Sequence, residues 1–352
     1  MKRSLLSLII LLGPCFMFSG IWKGKIYVED GVRVVENYGE GIWGKSLAKK
    51  VSFLKTLSIG REEGEDWEVL SSKLKLAVGP EREIVVLDIK REKIIKFSES
   101  GKFLWEAGKA GEGPGEFKYT FSVAVAPDGH VFVVDYGKIH EFSPEGNLIR
   151  EFRTAEYLGS IYFMGNGKIL ASVMVSGQPR LKANVYDRQF KLLGKFPFEY
   201  RFGPKLSGGG VIMTDKIVVS GGRVLFIIPD RYEFVVFTQD GKPLIKIRRK
   251  VNFVPTKIEK IEGGFRVEGG DEVGPGFFFR GKYYAVQFNK VVKEEDYSYR
   301  RYIDFYGEDG KFLGSYPLPA FTRLGTVDSR GNFYFISTDP FPTIYRAELR
   351  FK

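Results

Sequence analysis

The chain has 352 residues, 43% of them hydrophobic and 15% aromatic, which is ample for a packed core and excludes general disorder. Its 54 Lys and Arg against 43 Asp and Glu give a formal charge of +11, which draws a protein toward anionic partners but does not say where the charge gathers. A single cysteine excludes an intramolecular disulfide and any cysteine-rich metal site.

Residues 1–20 read as a targeting segment. Lys2 and Arg3 form a short positive start, and Leu5 to Phe18 is almost wholly apolar. That run is shorter than the ~20 residues a membrane-spanning helix needs, so the expectation is a secretory leader. Cys15 closes the run and is a candidate lipidation site, although Pro14 stands where a lipoprotein leader wants a small residue. The expected location is therefore periplasmic, extracellular or membrane-anchored. Membrane association would come only through the leader or a lipid anchor.

Residues 21–50 form an N-terminal lead-in, and within it Gly39 to Ser46 (GEGIWGKS) satisfies the P-loop spacing GxxxxGK[ST]. A true P-loop needs a helix opening at the Ser and alternating strands and helices beyond it. Here only Ser46 to Lys55 could form a short helix, and the segments beyond are strand-like. Nucleotide binding is not expected.

Internal repeats organise the rest of the chain. The clearest unit, Phe117 to Phe152, holds the β-rich runs SVAVA, HVFVV, KIHEF and NLIREF. Asp128-Gly129 and Glu145-Gly146 supply tight turns between them. The segment KLKLAVGPEREIVVLDIKREKIIKFSESGKFLWEAG repeats the cadence upstream, so Asp88 matches Asp135 and Gly101 matches Gly146. More degenerate units run from Ile161 to Phe196, Val211 to Ile247, and Phe277 to Tyr316, the last after an insertion around Arg248 to Asp271. The final unit, from Leu324, has three strands and lacks a fourth. Val51 to Ile59 (VSFLKTLSI) resembles the fourth-strand segments GKFLWEA and GKFLGSY, and would complete that last unit. Four antiparallel strands per unit predict an all-β, six-bladed β-propeller over residues 51–352, with an N-terminal strand closing the ring.

The loop GEGPGEF (Gly111 to Phe117), followed by APDGHVFVVD and HEFSPEGNLIREF, resembles the NHL-type six-bladed propellers and their secreted bacterial relatives. GKIYVEDGVRVVEN (Gly24 to Asn37) is similar to the lead-in of those bacterial proteins. The resemblance covers roughly residues 24 to 350 and departs from the NHL pattern after Asp88 and Asp135, where IKREK and YGK replace the usual Asn-x-Arg turn. It implies a fold and a binding role, with no reaction attached.

The remaining motifs are read structurally. GEGPGEF follows no parallel strand and opens no helix, so its glycines serve a sharp turn and Phe117 anchors the return to the core. Asp88 and Asp135 end equivalent strands and are expected to cap turns through side-chain-to-backbone hydrogen bonds. His130 and His140 have no ligand-spaced partner in the sequence, and no Ser-His-Asp or Cys-His arrangement is visible. No cofactor is expected, but an all-oxygen Ca²⁺ site assembled from several blades stays open, and with it a metal-dependent hydrolase or lyase working in the central channel.

Loops between blades, and between second and third strands, share one face of a propeller. Reading them gives Lys90, Arg91, Lys118, Tyr119, Tyr136, Lys138, Arg180, Lys182, Tyr200, Arg201, Arg231 and Tyr232 as candidate binding residues. Aromatics interleaved with Lys and Arg suit stacking plus charge. Acids such as Glu92 and Glu116 blunt that field. The leading expectation is a non-enzymatic, monomeric binding propeller that recognises a protein or an anionic glycan or polymer. Nucleic acid is a lesser expectation because the leader points to export.

Overall fold

The computed structural model describes residues 21–44, 47–174, 180–202, 216–261, 264–293 and 298–352. The leader with Cys15, Lys45 and Ser46 of the P-loop-like stretch, and Val211 at the head of the fourth unit lie outside the described residues.

A hairpin of β1 (Gly24–Glu29) and β2 (Val32–Asn37) comes first, then one helical turn, α1 (Leu47–Lys50), and β3 (Val51–Ile59). Blade one is β4 (Leu74–Val78), β5 (Ile84–Asp88), β6 (Lys93–Phe97) and β7 (Phe103–Ala107). Blade two is β8 (Ser122–Val125), β9 (Val131–Asp135), β10 (Lys138–Phe142) and β11 (Leu148–Arg153). Blade three is β12 (Leu158–Phe163), β13 (Ile169–Val173), β14 (Arg180–Tyr186) and β15 (Leu192–Arg201). Blade four is β16 (Ile217–Ser220), β17 (Arg223–Ile228), β18 (Glu233–Thr238) and β19 (Pro243–Arg249). The insertion after it carries its own hairpin, β20 (Lys257–Ile261) and β21 (Gly264–Glu268). Blade five is β22 (Glu272–Phe279), β23 (Tyr283–Lys293), β24 (Ser298–Gly307) and β25 (Phe312–Pro317). Blade six is β26 (Thr322–Val327), β27 (Asn332–Ser337) and β28 (Thr343–Phe351), completed by β3.

The innermost strands touch in sequence around a ring: β4, β8, β12, β16, β22, β26, and back to β4. Each blade packs face to face on the next, and six buried apolar clusters mark the six interfaces. This explains the composition of the strands. IVVLD of β5 and VFVVD of β9 are buried on both faces and read as unbroken apolar runs. FLWEA of β7 is an outermost strand, and its side chains alternate between packing and solvent.

Ring closure follows the register expected from the missing strand. β3 pairs antiparallel with β28 from Ile59 opposite Ile344 to Val51 opposite Phe351. Phe53 fastens the closure, with its ring 4.9 Å from Tyr316, 4.9 Å from Phe333 and 5.1 Å from Phe335. Of the stretch up to Lys55 in which the sequence allowed a short helix, α1 takes a single turn, because Val51 onward belongs to the closing strand as its sequence suggested.

The lead-in is not a loose tail. β2 pairs parallel with β19, so blade four becomes a six-stranded sheet with β1 at its rim. The backbone amides of Ile42 and Trp43 then donate to Phe312 and Leu313 on blade five. With β3 on blade six, the N-terminal segment straps the outer edges of three consecutive blades. Asn37 is the rivet. Fully buried, it accepts from Trp22 Nε1 (2.8 Å) and from the Phe312 amide (2.7 Å), and donates to the carbonyls of Arg248 (3.0 Å) and Gly310 (3.1 Å).

Two substitutions test this strap. Phe53→Ala should lower stability by about 2–4 kcal/mol in chemical denaturation, as for other aromatic truncations in packed cores. Asn37→Ala leaves buried backbone groups on blades four and five without partners, and should cost about 1–3 kcal/mol in the same measurement.

Candidate functional site

The candidate face is built at the end of the propeller where chains pass from blade to blade. At the junction of blades two and three, the β9–β10 turn is only Tyr136 and Gly137, since Asp135 pairs directly with Lys138. Gly137 takes φ 73°, the left-handed conformation that lets so short a turn close and leaves Tyr136 at its tip. Tyr136 stacks on Tyr157 at a centroid distance of 4.3 Å, and Tyr119 meets it edge-on at 6.2 Å. The three rings are exposed by 61% (Tyr119), 50% (Tyr136) and 46% (Tyr157), so together they form an open aromatic platform. The neighbouring Tyr157 hydroxyl raises the pKa of the Tyr136 phenol above its ordinary value. The Tyr136 phenol therefore stays protonated at physiological pH.

Asp135 holds this platform in place. Its carboxylate, 4% exposed, accepts the backbone amides of Lys118 (2.9 Å), Tyr119 (2.7 Å) and Tyr136 (2.6 Å). One side chain thus fixes the inter-blade loop and the turn that carry two of the three tyrosines. Asp88 makes the matching clamp in blade one, accepting the amides of Ser71 (2.8 Å) and Arg91 (3.2 Å). Both aspartates cap turns, as their position at strand ends suggested. Beneath the platform His140 is fully buried, with Nδ1 2.9 Å from Glu151 and Nε2 3.6 Å from Asp135. The sequence showed no partner for this histidine. Strand pairing of β10 with β11 supplies one, by setting His140 opposite Glu151. Burial works to raise the Asp135 carboxyl, but His140 and the three amides outweigh it and hold it at about 2.

The basic residues expected on this face are largely engaged with acids. Arg91 bonds Asp66, and Lys118 bonds Glu112. Lys138 lies 3.8 Å from Glu151, and Lys182 3.0 Å from Glu156. Arg180 and Arg201 share Glu199 at 3.2 and 3.0 Å. Arg231 bonds Glu233 at 3.1 Å and donates to Tyr200, which in turn donates to Asp230. Lys90 stands exposed in the β5–β6 turn. Tyr232 is a correction. It is 3% exposed, and its hydroxyl donates to the buried Asp304 beside Arg249, so it offers no ring to a ligand. The β17–β18 turn aims it inward, where it joins the core between blades four and five. Tyr157 was missed because it lies in a polar inter-blade stretch with no motif around it.

The central channel has two parts. Its inner section encloses about 80 Å³ and is lined by Lys75, Ser122, Ser160 and Arg323 among apolar neighbours. The mouth on the opposite face widens to about 480 Å³, bounded by the far ends of the inner strands. No carboxylate lines the inner section among the described residues. Nor do they hold a group of three or more His, Cys, Asp or Glu able to bind a metal ion.

Residues 72–253, just over half of the chain, match the six-bladed β-propeller family DUF5128. The chain belongs to that family. No curated protein sequence matches this DUF5128 propeller significantly. Among solved structures it is similar to a Bacteroides fragilis protein described as exported, at 13% identity and a TM-score of 0.57, covering 91% of this chain and 99% of the other. A DUF4221 family member from Bacteroides vulgatus aligns at 11% identity and TM-score 0.60, covering 86% and 99%. The PQQ-bound aldose sugar dehydrogenase of Streptomyces coelicolor aligns at 13% identity and TM-score 0.51, also covering 86% and 99%. At such identities these likenesses carry the fold and nothing finer.

The Asp135 clamp has a pH signature. Its carboxyl is held at about 2 in the fold against an ordinary value near 3.9, so its stabilisation is present above about pH 4 and is lost as pH falls toward 2. Asp135→Asn should therefore destabilise by about 2 kcal/mol at pH 7 and by much less at pH 2.5. Urea denaturation at the two pH values checks it. Equal losses at both would mean that the charge is not what holds the loops.

Proposed function

We propose that this protein is an exported, non-enzymatic binding propeller that recognises an anionic glycan or related polymer across its inter-blade loop face. The observation that carries the reading is the exposed platform of Tyr119, Tyr136 and Tyr157, held rigid by Asp135. Aromatic faces bind ring-shaped ligands by stacking, and rigidity lowers the ordering cost of doing so. Lys118, Lys138 and Lys182 flank the platform in partly exposed ion pairs, which are weak enough for an acidic ligand to exchange with the carboxylates. Export rests on the N-terminal apolar run and is in keeping with the exported Bacteroides fragilis protein of similar fold. The finer kinship with NHL-type propellers rests on the Gly111 to Phe117 loop and the repeat that follows it.

The competing reading was a calcium-dependent hydrolase or lyase. Its place would be the inner channel, where the charged lining residues are Lys75 and Arg323. The open face, with its exposed and rigidly held tyrosines, is the better supported site.

Affinity electrophoresis through gels containing alginate, polygalacturonate or dextran sulfate tests the proposal. The wild-type protein should be retarded by at least one of them, and the retardation should weaken with added salt. Tyr119→Ala combined with Tyr136→Ala should weaken binding about tenfold or more, consistent with loss of an aromatic anchor. Arg201→Ala with Arg231→Ala, farther round the face, should have a smaller effect. Unchanged retardation in the tyrosine variant would remove the platform from the site. A protein captured through the same tyrosines, with no polymer bound, would make the ligand a polypeptide.

A further inference from the structure

We propose that the channel mouth on the face away from the inter-blade loops, with an arginine-lined pocket beside it, binds a small organic anion. The apolar body of that anion sits in the mouth, and its carboxylate or phosphate group lies against Arg280 and Arg330. The two cavities adjoin. The mouth encloses about 480 Å³ and the pocket about 270 Å³, and Arg280 lines both. A mouth of that size falls within the range of about 300–1,000 Å³ usual for small-molecule sites.

The mouth is an apolar cup. Ala77, Val125, Phe163, Val219, Phe278 and Val327 bring one apolar residue to its wall from each of the six inner strands. Among the described residues its charged lining is Arg280 and Asp328 alone. Asp328 is committed to its own turn, where its carboxylate accepts the amides of Arg330 (3.0 Å) and Asn332 (2.9 Å) and the Tyr334 hydroxyl (3.2 Å).

The pocket holds an excess of positive charge. Arg82 of blade one, Arg280 of blade five, and Arg330 and Arg346 of blade six face only Glu99 and Glu348. Glu99 bonds Arg82 and lies 3.9 Å from Arg346, while Glu348 pairs at 3.2 Å with Arg350. Arg280 and Arg330, both exposed, make no ion pair among the described residues. An acidic group between them supplies the missing charge, and guanidinium forks match carboxylate and phosphate oxygens in pairs.

The backbone holds Arg280 at the junction of the two cavities. It takes φ 50° at the β22–β23 turn, and Arg82 on the facing wall takes φ 65°. Left-handed backbone is costly for any residue with a side chain, and such positions gather at functional sites. The Arg280 side chain lies across Gly331 of blade six, where an added Cβ would stand 2.8 Å from its Cγ and Nε. Its Nε also donates to the Arg330 carbonyl at 3.4 Å, which brings the two arginines together.

This site lies on the face away from the tyrosine platform and does not rest on it. Octanoate and octyl phosphate are the probes, titrated calorimetrically below their micelle concentrations. At least one should bind at one site per chain, and the tighter of the two names the acidic group. It should bind about tenfold or more tightly than acetate or inorganic phosphate, which lack the apolar body. It should exceed octanol, which lacks the charge, by a similar factor. Arg280→Gly should weaken binding of that probe about tenfold while the melting temperature holds or rises, because glycine relieves the left-handed backbone. Arg330→Gln, on a separate turn, should weaken it several-fold and gives an independent reading. Tyr136→Ala should leave it unchanged, which keeps failure of the platform distinct from failure of this site. Octanol binding as tightly as octanoate would remove the arginines from the site. Inorganic phosphate binding as tightly as octyl phosphate would remove the mouth. Either result, or full affinity for the probe in the variant carrying both Arg280→Gly and Arg330→Gln, would overturn the proposal.

Discussion

The structure depends on closing a ring from a linear chain. A blade is a short, twisted sheet that buries both faces only when it has a neighbour on each side, so an open array would leave two apolar faces in water. Here the closure is made by pairing β3 with β28, residues from opposite ends of the chain. Phe53 converts that backbone pairing into side-chain packing between blades five and six. The strap formed by β1, β2 and the Ile42–Trp43 backbone adds further ties on blades four and five. With no disulfide available to the propeller, this non-covalent belt does what a cross-link does in many exported domains, by joining segments distant in sequence.

Closure also creates the functional geometry. Once the six inner strands form a ring, every inter-blade loop leaves from the same end, so short loops from separate repeats converge on one surface. The aspartate at the end of a second strand then acquires a task beyond capping its own turn. In blade two it reaches back to the incoming loop and holds Tyr119 and Tyr136 at once. The same residue in blade one clamps Ser71 and Arg91 and carries no aromatic pair. A scaffold device shared by blades one and two serves in blade two as the mount for the platform.

Charge is distributed less simply than the net value of +11 implies. On the outer face most of the cations are matched by nearby carboxylates, so the long-range field there is modest. In the channel the inner lining sets Lys75 and Arg323 beside the hydroxyls of Ser122 and Ser160. A charge in such a confined space is screened far less than one on the surface.

Much of the architecture was legible in the amino-acid sequence. Gly-containing turns at fixed offsets, unbroken apolar runs for middle strands and a three-stranded last unit together specify six blades and the closing role of Val51 to Ile59. These features are local, and local backbone chemistry writes them directly into residue order. The capping role of Asp88 and Asp135 was legible for the same reason. What only the tertiary structure decided are the meetings between repeats. Tyr157 joins Tyr119 and Tyr136 because blade three docks on blade two, while Tyr232, from a similar turn, is drawn into the core by Asp304 of blade five. His140 finds Glu151 through strand pairing, and Arg323 meets the Leu74 carbonyl only across the closed seam between blades one and six. Side-chain direction at a turn, and proximity across a ring, depend on how blades pack, and neither leaves a periodic mark in the sequence.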